Sequence, residues 1–387
     1  MLASLPRDRV PRETSPTMTG RMIRVLVIDD SALIREMICD AIGDTPDMEV
    51  VGRAPNGARG LELLDRLDPD VVTLDIQMPG MDGLETLDAI LQKRPVPVIM
   101  VSSLTQIGAT VTLDALDRGA IDYVAKPERG SETQTVFHSE LPRKIRSAKG
   151  TDVRRILQIR RRRSQRTEER RKRSDTPRPP ERVDAVPEEL ADKCIALGIS
   201  TGGPPALSAL FENLRPPMPP IVIVQHMPPQ FTKPLAWRLN AASRLTVSEA
   251  KSGDLLRPNH ALIAPGGRHL ELRPQGRSAK VLLRDGPPVS SHKPSVDVMM
   301  KSAARIFGRR CLGVIMTGMG RDGSDGCAAI RAAGGFVLGQ DEASSDVYGM
   351  NKVAMNEGNV DRQFSLGEAT GTLALQIKRL WALTGVA

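Results

Sequence analysis

The sequence lacks any apolar run that approaches the roughly 20 residues of a membrane-spanning helix, and its N-terminus lacks the hydrophobic segment of a secretion signal. Paired cysteines are absent as well. The four cysteines lie far apart in apolar or helical surroundings, without a C-x-x-C motif, at Cys39, Cys194, Cys311 and Cys327. We therefore expect a soluble, cytoplasmic protein with reduced thiols and no disulfide framework.

Excess positive charge is confined to one stretch of the chain. The whole sequence carries a net charge of +8, but Arg143 to Arg182 alone contains 17 Lys and Arg against 5 Asp and Glu, a net of +12. The remaining residues therefore sum to −4. This distribution predicts two mildly acidic folded parts that are joined by a basic segment.

The length of 387 residues and the hydrophobic pattern predict two domains. Short β-branched runs alternate with helical segments on both sides of the basic stretch, which is typical of parallel sheets. Residues 1–21 show no periodicity and are expected to be a disordered extension. We expect a first α/β domain over 22–140, a basic Arg-rich linker over 141–190 and a second α/β domain over 191–387.

Polar side chains follow or end four strands of the first domain: Asp29 and Asp30 the first, Asp75 the third, Ser102 the fourth and Lys126 the fifth. The carboxyl ends of parallel strands meet at one edge of an open sheet, so these side chains should converge. Three adjacent carboxylates repel one another unless a hard cation such as Mg²⁺ binds them. A carboxylate beside Mg²⁺ can attack phosphorus, while a lysine and a hydroxyl contact the transferred oxygens. The pattern therefore predicts a transient aspartyl phosphate on Asp75.

A single acid at a strand end often only caps the next helix, and this alternative applies above all to Asp30. The whole set, however, resembles the receiver domain of two-component response regulators over about residues 23–128. The resemblance is carried by VLVIDDS, LDIQMPGMDG, MVSS and YVAKP. It implies a flavodoxin-like fold and phosphorylation of Asp75 by a histidine kinase. It also implies Mg²⁺ held by Asp29, Asp30, Asp75 and the Gln77 carbonyl.

A glycine-rich turn in the second domain contains a literal G-x-S-x-G motif, GISTG, at Gly198 to Gly202. Such a turn can present a nucleophilic serine, or it can only hold a phosphate. Ser200 needs a histidine to remove its proton and an acid to orient that histidine. Among the histidines away from the linker, only His226 ends an apolar strand as Ser200 does, and the same test on the acids selects Asp322. The order Ser, His, Asp differs from that of α/β-hydrolases, so the match is local.

A dinucleotide-binding motif competes for the same region. Gly318 to Gly323 reads GMGRDG, a literal G-x-G-x-x-G between a strand and a helix, and Asp341 closes the next strand. Taken alone, this pattern predicts an NAD-dependent enzyme. Asp322 argues against it, because a carboxylate in the phosphate-binding turn repels pyrophosphate.

Six segments of the second domain together resemble the catalytic domain of the CheB family of chemotaxis protein-glutamate methylesterases. They are GISTGGPPAL, VIVQHMPPQFTKPLAWRLN, IAPGGRHLEL, HKPSVDVMM, TGMGRDGSDGCAAIRAAGG and GQDEASSDVYGMNKVAM. The resemblance implies a doubly wound parallel-sheet esterase domain that releases methanol from γ-glutamyl methyl esters of chemoreceptors and deamidates receptor glutamines. Ser200 would be the nucleophile, His226 the base and Asp322 its orienting acid. The N–H of Met319, with Thr201 nearby, would stabilise the oxyanion, and the esterase would need no cofactor.

The same resemblance implies partners and control. Methyl-accepting chemoreceptors would be the substrate, a chemotaxis histidine kinase the phosphodonor, and the protein a monomer. The receiver would cover the esterase cleft until phosphorylation shifts the equilibrium, although nothing in the sequence locates the interface. A DNA-binding response regulator is the alternative, but no helix-turn-helix with a basic face follows the linker.

The Arg-rich linker permits two interpretations. Its arginines between Arg160 and Arg173 predict a solvated tether that self-repulsion keeps extended. Alternatively, they could attract the enzyme to an anionic membrane or receptor surface, at about 1 kcal/mol per basic residue near the surface.

Overall fold

The structure is a computed structural model and describes residues 21–103, 105–127, 132–161 and 188–381. Its first α/β domain contains a five-stranded parallel sheet in the order β2-β1-β3-β4-β5. The strands are β1 (Ile23–Ile28), β2 (Met48–Ala54), β3 (Val71–Asp75), β4 (Val98–Ser102) and β5 (Asp122–Ala125). The helices are α1 (Ala32–Gly43), α2 (Gly57–Leu67), α3 (Gly83–Lys93), α4 (Gln106–Arg118) and α5 (Glu132–Lys149).

The second domain contains a seven-stranded parallel sheet in the order β14-β13-β12-β6-β7-β9-β8, and an antiparallel hairpin of β10 and β11. The strands are β6 (Cys194–Ile199), β7 (Ile221–Gln225), β8 (Thr246–Glu249), β9 (His260–Ile263), β10 (His269–Gln275), β11 (Ser278–Arg284), β12 (Cys311–Ile315), β13 (Phe336–Gln340) and β14 (Arg362–Phe364). Helix α6 comprises residues 153–161. The later helices are α7 (Gly203–Phe211), α8 (Pro229–Ala242), α9 (Val296–Phe307), α10 (Ser324–Ala332), α11 (Met350–Asn356) and α12 (Ala369–Trp381).

Two α/β domains with parallel sheets confirm the predicted fold class. Strands β6, β7, β9, β12 and β13, all in the interior of the second sheet, coincide with short apolar runs of the kind that predicted a parallel sheet. The edge strands β8 and β14 and the hairpin were not predicted, because strands exposed on one side carry no continuous apolar run. In the described ranges, no helix is long and apolar enough to cross a bilayer.

The structure places the end of the first domain later than residue 140. Helix α5 continues to Lys149, and its Leu141, Ile145 and Ala148 are completely buried. Helix α6 buries Val153 and Ile156 in the same way. Both helices are amphipathic. The many basic residues on their exposed faces led to the prediction of a linker, although their other faces are apolar and buried.

Arg160 of α6 does not belong to a solvated tether. One of its nitrogens lies 2.7 Å from Asp346 Oδ2 in the second domain, and another donates to the Leu116 carbonyl of α4. The paired side chains are 10% and 6% exposed. The tether and membrane interpretations therefore apply only to later arginines, and residues 162–187 lie outside the described part of the chain, as do residues 1–20.

The two domains pack directly against each other. The ring of Tyr123 on β5 lies 4.4 Å from the ring of Phe231 on α8, centroid to centroid, and both side chains are buried. Arg238 of α8 adds ion pairs with Asp114 and Asp117 of α4. The face of the first domain that carries α4, β5 and α5 therefore lies against the second domain.

We expect Gly198→Ala to destabilise the second domain by about 1–3 kcal/mol, because a Cβ atom there would lie 2.2 Å from Val296 Cγ1. The control is Gly371→Ala in α12, where nothing lies within 4 Å of the added carbon. That change should be neutral or stabilising, by up to about 1 kcal/mol. Urea unfolding followed by tryptophan fluorescence measures both, since the two tryptophans, Trp237 and Trp381, belong to the second domain. Equal stabilities of the two variants would contradict the prediction.

Candidate active site

Ser200 lies in a tight turn between β6 and α7. Its amide donates to the Thr317 carbonyl at 2.9 Å, and its own carbonyl accepts from Gly203 N at 2.8 Å. Gly202 has φ +76°, and a Cβ atom there would lie 2.6 Å from the Cβ of Asp346, so the turn requires glycine. The Ser200 residue is 8% exposed. The turn therefore presents a small hydroxyl side chain at the carboxyl end of the sheet.

His226 follows the strand next to Ser200. Strands β6 and β7 pair with Ile199 opposite Gln225, so the two residues that come next, Ser200 and His226, are neighbours across the sheet edge. His226 Nε2 lies 2.8 Å from Asp322 Oδ2. Since the carboxylate can only accept, Nε2 carries the proton and Nδ1 has the lone pair. That Nδ1 is buried and has no hydrogen-bond partner among the described residues.

The carboxylate of Asp322 is completely buried and lies at the N-terminus of α9. It accepts hydrogen bonds from Ser295 Oγ at 2.8 Å, Val296 N at 2.7 Å and Asp297 N at 3.0 Å. Burial alone would raise the pKa of Asp322, but the hydrogen bond with His226 and those from the α9 amides outweigh it and lower the pKa to about 2. Asp322 therefore remains a carboxylate at neutral pH.

A second histidine, His292, stacks on His226. The ring centroids are 3.8 Å apart and the planes differ by 9°. His292 Nδ1 lies 2.6 Å from the Ser290 carbonyl, which can only accept, and Nε2 lies 2.7 Å from a guanidinium nitrogen of Arg143, which can only donate. The ring is therefore the neutral Nδ1–H tautomer. Burial, together with His226 and Arg143, lowers its pKa to about 3.

The strand-end test missed His292 because no strand precedes it, although the segment HKPSVDVMM was among those that carried the family resemblance. One ligand atom from each of His226, His292 and Asp322 lies within 4.8 Å of the other two. Nearly parallel stacked rings, however, direct their in-plane lone pairs along parallel planes, which do not converge on one ion at about 2 Å from each nitrogen. The cluster thus fits proton transfer better than metal binding.

The two residues expected around an oxyanion have different environments. Met319 lines the same cavity as Ser200 and His226. Thr201 Oγ1, in contrast, donates to Asp122 Oδ2 of the first domain at 2.6 Å. In this arrangement the Thr201 hydroxyl is therefore occupied by the other domain.

The cavity over Ser200 has a volume of about 960 Å³ and is lined by both domains. The second domain contributes Ser200, His226 and Met319, and the first contributes Lys126 and Arg143. The first domain thus supplies part of the wall of the cleft that contains Ser200.

The glycine-rich turn before α10 does not offer its amides to a pyrophosphate. Gly323 N and Gly326 N both donate to Asp297 Oδ1, at 2.9 and 2.7 Å. A buried carboxyl group therefore occupies the helix N-terminus that a dinucleotide would need, and the motif match at Gly318 to Gly323 has a structural explanation.

The acidic cluster of the first domain converges as its strand positions predict. Lys126 Nζ lies 3.0 Å from Asp29 Oδ2 and 2.7 Å from Asp75 Oδ2. Burial raises the pKa of both carboxyl groups, against the effect of Lys126. Asp30 is exposed, and since Ser31 caps α1, helix capping does not occupy the Asp30 carboxylate. Ligand oxygens of these three acids lie within 4.8 Å of one another, which fits the oxygen-rich shell of Mg²⁺.

Gln77 and Ser102, the other two residues expected at this cluster, form hydrogen bonds within the receiver. Gln77 follows Asp75 closely in the chain, and its backbone amide donates to Asp75 Oδ1 at 3.2 Å. The hydroxyl of Ser102 is buried and bonded to Thr112 Oγ1 at 2.8 Å, with the Gly108 carbonyl 3.4 Å away. A contact from Ser102 to a phosphoryl group would therefore compete with these hydrogen bonds.

Comparisons with known proteins cover both domains. Residues 25–137 match the response regulator receiver domain, and residues 195–373 match the CheB methylesterase family. The chain is 44% identical over 362 residues to the protein-glutamate methylesterase/protein-glutamine glutaminase of Pectobacterium atrosepticum, covering 93% of this chain and 99% of that protein. It is 42% identical over 358 residues to protein-glutamate methylesterase/protein-glutamine glutaminase 2 of Pseudomonas aeruginosa, covering 92% and 97%.

We expect Asp29→Asn to weaken Mg²⁺ binding roughly tenfold or more, because it removes one anionic oxygen ligand from the cluster. Isothermal titration calorimetry of the full chain measures the affinity. The control is Asp44→Asn, whose side chain is 84% exposed and lies 4.0 Å from His138 Nδ1. Equal Mg²⁺ affinity in wild type and Asp29→Asn would show that the cation binds elsewhere.

Proposed function

Because this chain belongs to the CheB family of receiver-linked methylesterases, we propose that it hydrolyses γ-glutamyl methyl esters of chemoreceptors and deamidates receptor glutamines. Its relatives are named protein-glutamate methylesterase/protein-glutamine glutaminase over nearly their whole length. The observation that carries the proposal is the His226–Asp322 pair at 2.8 Å, which leaves a buried Nδ1 lone pair on the residue next to Ser200 across the sheet.

The proposed reaction begins with Ser200. Its Oγ attacks the ester carbonyl carbon of the substrate while His226 Nδ1 takes the hydroxyl proton. The resulting oxyanion receives hydrogen bonds from Met319 N–H and from Thr201, once Thr201 is released from the first domain. His226 then gives the proton to the departing methoxide, so methanol leaves and an acyl-serine remains. Water attacks the acyl group, its proton passes to His226, and that proton returns to Ser200 Oγ as the glutamate is released.

Asp322 stays ionised throughout, because its pKa of about 2 lies far below neutral pH. Its negative charge holds the Nε2–H tautomer of His226 and stabilises the imidazolium that forms during the attack. A glutamine side chain follows the same steps, with ammonia as the leaving group in place of methanol. Apart from the attacking water, the steps as written use only these side chains and the backbone amides.

We propose that the receiver controls this reaction by covering the cleft. The Asp122–Thr201 and Arg143–His292 bonds both connect the receiver to the edge of the sheet where Ser200 lies. Mg²⁺ held by Asp29, Asp30, Asp75 and the Gln77 carbonyl would offset the negative charge at the phosphorylation site.

Phosphorylation of Asp75 is linked to the cover through β5. Lys126, which pairs with Asp75, follows the same strand that begins at Asp122. A change in the Lys126 contact can therefore alter the strand that holds Thr201. This proposal includes the histidine kinase as the source of the phosphoryl group and chemoreceptors as the substrate.

We expect Ser200→Ala, His226→Ala and Asp322→Ala each to reduce methanol release by roughly 10³-fold or more while the domain remains folded. The double variant Ser200→Ala/His226→Ala should be little worse than either single one, because the residues act as a unit. Methylated receptor membranes with a small-molecule phosphodonor are the assay. The control is Ser208→Ala, a partly buried serine of α7. Substantial esterase activity in Ser200→Ala would overturn the proposed nucleophile.

We expect Arg143→Ala to raise the activity of the unphosphorylated chain roughly three- to tenfold, since it removes one charged hydrogen bond across the covered cleft. Arg146→Ala is the matched control on the same helix, because Arg146 pairs with Asp47 within the receiver, at 2.7 Å. With phosphodonor and Mg²⁺, the rates of wild type and both arginine variants should converge, and Asp75→Asn should lose the response. An unchanged basal rate in Arg143→Ala would argue against this contact as part of the cover.

A further inference from the structure

The N-termini of helices α9 and α10 cap each other: each N-terminus donates hydrogen bonds to a carboxyl group from the segment that begins the other helix. Asp322, which immediately precedes the N-cap of α10, accepts from Ser295 Oγ and the first two amides of α9. Asp297, in the first turn of α9, accepts from Gly323 N at 2.9 Å and Gly326 N at 2.7 Å at the start of α10. Both carboxyl groups are buried, with residue exposures of 0% and 1%.

This reciprocal capping forms a closed set of contacts around Asp322. Gly323, which Asp297 binds, is the next residue in the chain after Asp322, and the amide of Asp297 itself donates to Asp322 Oδ1. The position of the Asp322 carboxylate therefore depends on the first turn of α9, and that turn is tied back to the chain beside Asp322. Two sets of hydrogen bonds fix both the distance between the helix ends and the rotation of the carboxylate.

We propose that Asp297 is a positioning residue for the reaction proposed above: it fixes the Asp322 carboxylate in the orientation that holds His226. This inference rests on the proposed function of Asp322. A cap for α10 is needed in any case, because Gly323 offers no side chain and has φ +97°. This cap, however, is the side chain of Asp297, whose own backbone amide donates to Asp322. A displacement of Asp297 therefore also displaces a hydrogen-bond donor of the Asp322 carboxylate.

Two buried carboxyl groups this close oppose each other, and the titration of Asp297 reflects this. Burial first, and the neighbouring charge of Asp322 second, raise the pKa of Asp297 to about 6. Its Oδ1 is the atom that accepts from both amides, whereas Oδ2 has Ser290 Oγ at 3.4 Å. An asparagine can keep the Oδ1 contacts without the charge, so the positioning function depends on the acceptor atom more than on the negative charge.

The test compares Asp297→Ala and Asp297→Asn in the full chain, with phosphodonor and Mg²⁺ present, on methylated receptor membranes. We expect Asp297→Ala to lower kcat tenfold or more with KM changed less than twofold, and Asp297→Asn to retain at least half of the wild-type kcat. The matched control is Asp361→Ala, which also removes a carboxylate that accepts a backbone amide, Val337 N at 2.8 Å. Urea unfolding of each variant reports its stability separately.

A double-mutant cycle distinguishes positioning from simple stabilisation. If Asp297 acts through Asp322, then adding Asp297→Ala to Asp322→Ala should lower kcat less than twofold further, while the loss of stability remains. Equal kcat losses in both backgrounds, the same kcat loss in Asp361→Ala, or wild-type kcat in Asp297→Ala would each overturn the inference. If Asp297→Ala does not fold, Asp297→Ser replaces it, because a short hydroxyl does not span both amides. Full activity of Asp322→Ala would instead overturn the proposed function itself.

Discussion

The buried negative charge of Asp322 is the interaction on which the architecture of the second domain's active edge depends. A carboxylate without solvent is costly unless hydrogen bonds and opposite charge surround it. Here the N-terminus of α9 supplies the hydrogen bonds and His226 supplies the polarisable partner. Helix α9 must therefore approach β6 closely, which explains why Val296 packs where a side chain on Gly198 would stand. The tautomer of His226 and the free Nδ1 follow from this one fixed anion.

The same edge of the sheet is used twice, once for chemistry and once for the domain interface. The Thr201 hydroxyl and the stacked His292 are saturated by Asp122 and Arg143 of the receiver. The Thr201 contact is buried and the His292 contact is partly buried, so a substrate that uses these groups must replace the receiver's contacts. The ion pair of Arg160 with Asp346 extends this contact to α6. Under the proposed control, cover and active site compete for the same hydrogen-bonding groups, which would couple control to catalysis without a long pathway.

Amphipathic helices with charged faces were the main difficulty for prediction. Residues 141–161 read as a basic linker because Lys and Arg dominate their composition, yet within each helix buried apolar residues recur three or four positions apart: Leu141, Ile145 and Ala148 in α5, and Val153 and Ile156 in α6. Lys144 is itself buried, and its charge is offset by Asp122 and Glu140. Composition registers the number of charges, whereas the fold depends on which face of the helix each charge occupies.

The sequence by itself determined the two parallel-sheet domains and the residues at the ends of their interior strands. Apolar runs identify buried strands, and parallel strands bring their carboxyl ends to one edge, so Asp29, Asp75 and Lys126 meet, as do His226 and Asp322. Only the tertiary structure decided three features: the stacking of His292 on His226, the reciprocal capping of α9 and α10 by Asp322 and Asp297, and the position of the receiver against the cleft. These contacts join segments that are far apart in the chain and follow no strand, so their geometry depends on how whole helices pack and leaves no local pattern.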